Sequence, residues 1–169
     1  MNLAQAACNE ANHLLDSAMI KINHCLEQLS DDQVWWRPSD EANSIGNLLL
    51  HISGNLRQWG IVPLRGEKDL RERQEEFDFR GPMDRDELMS LVNRTVSEAK
   101  DEFAQLDESR LLTEAVIQGF PVTLYKAMMH TTTHFIGHAH QIILLTRIQL
   151  GREYKFQWSP EAERGKLPM

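Results

Sequence analysis

The sequence predicts an all-α protein: a four-helix bundle with long connections after its second and third helices. Three observations carry this. Four stretches of about 18 to 28 residues repeat their apolar positions every three or four residues, the period of a helix with one buried face. Glycine and proline are scarce, nine and six among 169 residues, where average usage gives about 20 of the two together. The composition, 41% hydrophobic and 25% charged, is that of a globular chain able to bury a core without disulfide staples. There is no internal repeat, low-complexity tract or linker, so residues 1–169 are expected to form one domain.

The first helix is read from Asn2 to Leu29, with Ala4, Cys8, Ala11, Leu15, Ala18, Ile22, Cys25 and Leu29 in one stripe. Ser30 to Asp40 breaks the period, and Pro38 pushes Arg37 towards extended backbone. Ser44 is placed to cap a second helix from Ile45 to Val62, whose stripe is Ile45, Leu48, Leu49, Ile52, Leu56 and Trp59. Pro63 is expected to end it. Leu64 to Met83 is charge-dense, with little apolar pattern beyond Phe77 and Phe79, and reads as a long loop. Asp84 followed by Glu87 has the form of a capping box for a third helix, Arg85 to Leu106, with Leu88, Leu91, Val92, Val96, Ala99 and Phe103 facing inward. Between Asp107 and Val122, the segment TEAVIQGFPV reads as two short extended pieces around Gly119. Thr123 then caps a fourth helix that runs to Leu150 and stops at Gly151. The tail from Arg152 to Met169, which contains Trp158, Pro160, Gly165 and Pro168, is expected to be irregular.

Composition excludes several classes. The net charge of −7 gives no electrostatic attraction to nucleic acid or to an anionic membrane. The first residues lack the basic and apolar regions of a secretory signal, and no run approaches the roughly 18 apolar residues of a membrane span. Cys8 and Cys25 fall 17 residues apart on one predicted helix, about 25 Å, far beyond disulfide reach. Two unpaired cysteines suit a reducing compartment, so a cytoplasmic location is expected. No phosphate-binding glycine loop, nucleophile elbow, zinc-deaminase cysteine motif or HExxH sequence occurs.

The chemistry concentrates in histidine. Of seven, four (His130, His134, His138 and His140) fall within the last predicted helix. At about 100° per residue, with His138 as origin, Ala127, Thr131, His134, Ile142 and Leu145 all fall within about 40° of it. His134 and His138 therefore face the bundle interior, His130 lies at the edge of the stripe and His140 points outward. Imidazoles at i and i+4 are close enough to share one metal ion. A third ligand has to come from another helix, and His51, beside the buried stripe of the second, is the candidate. Three neutral imidazoles leave a fourth position open, the pattern of a catalytic rather than a closed structural site. Gln141 could bond a bound ligand or orient an imidazole from outside. The plainer alternative is a set of core histidines that satisfy one another without an ion. His13 and His24 read as surface or core-edge residues. Trp35 and Trp36 read as a plug at the bundle end, with ligand stacking as the alternative. The run Arg71 to Glu76 reads as a solvated loop, with a pocket rim as the alternative, and Arg57 and Arg94 face outward.

The segments NSIGNLLLHISGNLRQW, RERQEEF and HTTTHFIGHAHQI, in this order and spacing, resemble the DinB/YfiT-like superfamily, and within it the small bacterial DinB-like proteins of uncharacterised function. The likeness runs from Trp35–Pro38 (WWRP) to the tail motif WSPEAERGKLP. It implies a four-helix bundle with a metal site of three histidines, one from the second helix and an HxxxH pair from the fourth; the matching positions are His51, His134 and His138. Where the family commonly has glycine before the last glutamine, this chain has His140, which points outward and is not taken as a ligand. Some relatives are thiol-dependent transferases or isomerases, and others are described as metal-dependent hydrolases. The resemblance thus implies a divalent ion, zinc or nickel, that activates a small thiol or water against an electrophilic substrate. A protein that only binds metal, as in stress-related storage or sensing, is the alternative. A homodimer is a further expectation for a small bundle.

Overall fold

In a computed structural model, which describes residues 1–81 and 83–157, the elements in chain order are helices α1 (Leu3–Leu26), α2 (Asp31–Trp35), α3 (Ile45–Gly60), α4 (Val62–Arg65), α5 (Arg73–Asp78), α6 (Arg85–Ala104) and α7 (Glu108–Leu111), strands β1 (Glu114–Ile117) and β2 (Phe120–Thr123), and helix α8 (Leu124–Leu150). The four long helices are the four predicted stripes, and the all-α bundle is as expected. α1 packs against α6 and α8, and α3 packs against the same two. Two of the three successive pairs of long helices, α1 with α3 and α6 with α8, therefore lie across diagonals, while α3 and α6 are neighbours. This non-sequential order is what long connections permit.

The stripes of α1 and α3 are buried throughout, with Leu15, Ile22, Ile45, Leu49 and Leu56 fully enclosed. On α6 only Leu91 of the predicted face is half-exposed. Cys8 and Cys25 are buried on α1 as free thiols. Asn2, Ser30 and Ser44 each form a capping box with the residue three positions on. The box expected at Asp84 does not form: Asp84 stands at the N-cap of α6, but its side chain accepts no backbone hydrogen bond.

Three connections hold more structure than periodicity revealed, because their helices are too short to show it. The break after α1 contains α2. Pro63 does not end helical structure; it sits in the first turn of α4, where its missing N–H is no loss. The charged segment 64–83 contains α5, which has no buried residue. The expected extended pieces are β1 and β2, paired antiparallel with Ile117 opposite Phe120. The turn residues Gln118 and Gly119 both have positive φ, 52° and 82°, the geometry of a two-residue hairpin loop. Ile117 and Val122 pack the hairpin onto Trp59 of α3 and Ala127 of α8.

Trp35 acts as the expected plug. Its ring fills the space left by Gly46 and Gly81, and its Nε1 donates to the carbonyl of Met83 at 3.0 Å. Trp36 does not share that role, being 38% exposed. After Gly151 the chain makes a single 3₁₀ turn, Gly151–Glu153. It then lies along α1, where the Lys155 N–H donates to Gln28 at 2.7 Å and Tyr154 meets the half-buried ring of His24 edge-on. His13 is exposed. The tail residues Trp158, Pro160, Gly165 and Pro168 lie outside the described residues. Among the described residues, no helix is long and apolar enough to cross a membrane.

Candidate metal centre

α3 and α8 pack side by side, and the interior faces of both carry histidine. His51 comes from the middle of α3 and is 4% exposed; His134 and His138 come from successive turns of α8 and are half-buried. The three Nε2 atoms converge. That of His134 is 3.0 Å from that of His51 and 3.1 Å from that of His138. One donor atom from each ring can be chosen so that all lie within 4.8 Å of one another, a group that could hold a metal ion. Zinc bonds of about 2.0–2.1 Å in a tetrahedron require nitrogens about 3.3 Å apart, close to this spacing.

The outer ring nitrogens show what the inner ones present. His51 Nδ1 lies 3.0 Å from Glu76 Oε2 of α5, and His138 Nδ1 lies 2.7 Å from Gln141 Oε1. Both partners are oxygen acceptors, so each ring in its neutral form carries its proton on Nδ1 and a lone pair on Nε2. His134 Nε2 has at most one proton, so it can satisfy at most one of these two lone pairs at a time. A cation satisfies all three nitrogens together. Of the two roles open to Gln141, the structure shows the orientation of an imidazole.

The titration behaviour of the two α8 histidines agrees with neutral donors. Burial, reinforced by His138, His51, His130 and Arg71, pushes His134 down to about 4. Burial also lowers His138, outweighing its bond to Gln141. For Glu76, burial would raise the carboxyl, but hydrogen bonds from His51 and Arg71 win and hold it below its usual range. Glu76 is therefore ionised beside His51. Arg71 donates from Nε to Glu76 Oε1 and from Nη2 to Oε2, both at 2.7 Å, a bidentate pair with both side chains largely buried. Nη2 also lies 3.2 Å from His51 Nδ1, a contact between two donors rather than a bond.

α5 places no residue in the apolar core, and polar contacts from α3 and the loop after α2 hold it. Asn47, fully buried one turn before His51, donates to the carbonyls of Glu76 and Phe79 at 2.8 and 2.9 Å. Arg37 donates to the same Phe79 carbonyl at 3.1 Å and to Asn47 Oδ1. Gln58 Oε1 accepts from Arg71 Nη1 and from Gln118 of the hairpin turn, each at 2.8 Å. The Phe77 ring centre lies 4.7 Å from that of His51, and the Arg73 guanidinium lies over the Phe77 ring at 4.7 Å from its centre.

All three predicted ligands are brought together. The His130 ring lies tilted against that of Trp59, centroids 4.1 Å apart, and near-parallel to the His134 ring at 5.8 Å, without joining the group. His140 is exposed, as expected, and so are Arg57 and Arg94. The charged run departs from the solvated-loop expectation at its two ends, since Arg71 and Glu76 are enclosed beside His51. Sequence reasoning missed Asn47 and Gln58. Their signal was present: Asn47, His51, Asn55 and Gln58 form a polar line at helical spacing on the buried face of α3. A cavity of about 320 Å³ lined by Gly54, Gln58, Arg71 and Glu76 reaches this carboxylate rather than the three histidines.

Solved structures share the fold. A conserved protein from Enterococcus faecalis superposes with a TM-score of 0.74 at 18% identity, over 89% of this chain and 99% of its own. A DinB-like protein, YjoA, from Bacillus subtilis superposes with a TM-score of 0.65 at 19% identity, over the same shares. At these identities the likeness is one of fold alone. No functionally curated protein matches this chain significantly. The family description "Protein of unknown function (DUF1572)" matches residues 2–162, nearly the whole length that builds the bundle and its histidine cluster, and the chain belongs to that family.

Proposed function

We propose that the protein is a divalent-metal enzyme in which His51, His134 and His138 hold one ion, zinc or nickel, with a coordination position left for a small thiol or a water. The observation that carries this is the convergence of three Nε2 atoms, two of them committed to lone pairs by Glu76 and Gln141. A divalent ion there supplies a Lewis acid that lowers the pKa of a thiol or water near neutrality. The chain's own residues prepare for that role. Glu76 and Gln141 fix ring orientation and tautomer, and burial keeps His134 and His138 neutral. Arg71 cancels the charge of Glu76, so the all-nitrogen ligand set leaves the ion's full positive charge to attract an anionic thiol or hydroxide. The reacting partner would be a small electrophile.

Cobalt(II)-loaded protein tests this reading. Titration with a small thiol such as 2-mercaptoethanol is expected to produce a thiolate-to-cobalt charge-transfer band, and raising pH alone is expected to shift the visible bands. A spectrum indifferent to both would overturn the open position and favour a protein that only holds metal.

A further inference from the structure

Gly54 lies three residues after His51, on the same face of α3, in the middle of a helix that runs from Ile45 to Gly60. Its backbone is helical, so glycine's access to positive φ is not what the position uses. A mid-helix glycine without that need lowers helix stability relative to alanine. What the position lacks is room. A Cβ at residue 54 would overlap Oε1 of Glu76 and come within 2.8 Å of Arg71 Nε and 2.9 Å of Glu76 Cδ. All three are atoms of flexible side chains, so a methyl group would move the carboxylate and the guanidinium and leave the backbone of α3 in place.

We propose that Gly54 is a positioning residue of the histidine centre: having no side chain, it admits the Arg71–Glu76 pair to His51 and so fixes which ring nitrogen of His51 carries the proton. Gln58, one turn further along α3, completes the seat by accepting from Arg71 Nη1 at 2.8 Å. The carboxylate then has one place to go. Its Oε2 meets His51 Nδ1, while its Oε1 occupies the space where a side chain of residue 54 would begin. This rests on the metal reading for one of its two consequences. The tautomer of His51 follows from Glu76 whether or not an ion binds, and the strength of metal binding follows only if one does.

The test compares wild type, Gly54→Ala, Glu76→Ala and the double variant. In the metal-free proteins, long-range ¹H–¹⁵N spectra of the imidazoles report the tautomer. His51 is expected to be protonated at Nδ1 in wild type and to lose that preference in all three variants. Zinc affinity, measured by competition with a chelator, is expected to fall about tenfold or more in each single variant. The double variant is expected to bind within about twofold of Glu76→Ala alone, because both changes remove the same contact. Retention of the wild-type tautomer and affinity in Gly54→Ala, or losses that multiply in the double variant, would overturn the proposal. Should the methyl group destabilise the fold, the double variant recovers it only if Gly54 acts through Glu76. Absence of zinc binding in wild type would contradict the metal reading, and the tautomer comparison would then decide this one.

Discussion

Glu76 Oε2 lies 3.0 Å from His51 Nδ1, and this contact joins an interior helix of the bundle to a six-residue helix that places no residue in the apolar core. α5 thus owes its place to a polar seam. Arg71, Asn47, Arg37 and Gln58 hold the segment that holds Glu76, and Glu76 holds the first histidine of the centre.

Removing Arg71 leaves the Glu76 carboxylate with His51 as its remaining side-chain partner in a largely enclosed position. Arg71→Ala is expected to destabilise the metal-free fold by about 2–3 kcal/mol, the cost of stranding one member of a charge-assisted pair. Urea unfolding followed by circular dichroism reads this directly.

Asn47→Ala deletes the donor to the carbonyls of Glu76 and Phe79 and the acceptor for Arg37. The expected loss is about 2–3 kcal/mol, from buried polar groups left without partners. It also has a local signature. Amide exchange should quicken across residues 73–79 while the core of α1 stays protected.

Acid should weaken the metal-free protein, with a sign fixed by the lowered values. His134 is held at about 4, below its ordinary 6.5, so between those values the unfolded chain takes up a proton that the folded chain refuses. Stability then falls as pH drops from 6.5 towards 4. Glu76 adds to the same trend, because its depressed carboxyl contributes above its normal range and loses that contribution as pH falls through its folded value. Denaturation midpoints measured across this window are expected to slope less steeply in His134→Ala than in wild type.

Gln141→Ala should lower metal affinity about tenfold with little change in stability, since Gln141 is exposed and its Oε1 orients His138. His140→Ala, one position away on the outward face, should change neither. Chelator competition on the pair separates an oriented ligand from general surface chemistry.

How far the site could be read in advance follows from where each residue's burial originates. His134 and His138 lie on a periodic stripe of one long helix, and their burial is a property of α8 itself. His51 was legible for the same reason on α3. Arg71 and Glu76 sit five apart in a segment with no helical face, and only Asn47, Gly54 and Gln58 across the gap explain why they are enclosed. The short helices α2, α4, α5 and α7 span too few residues to show a period. Pro63, read as a stop, was compatible with the first turn of α4. The diagonal placement of α1 with α3 and of α6 with α8 was permitted by connection length and decided by packing.

The most direct test of the centre is elemental analysis of protein purified without chelators, wild type beside His134→Ala. The expected result is one divalent ion per wild-type chain and close to none in the variant, with the helical spectrum of both unchanged. A wild-type chain without metal, or equal metal in the two proteins, would contradict the assignment of His51, His134 and His138 as its ligands.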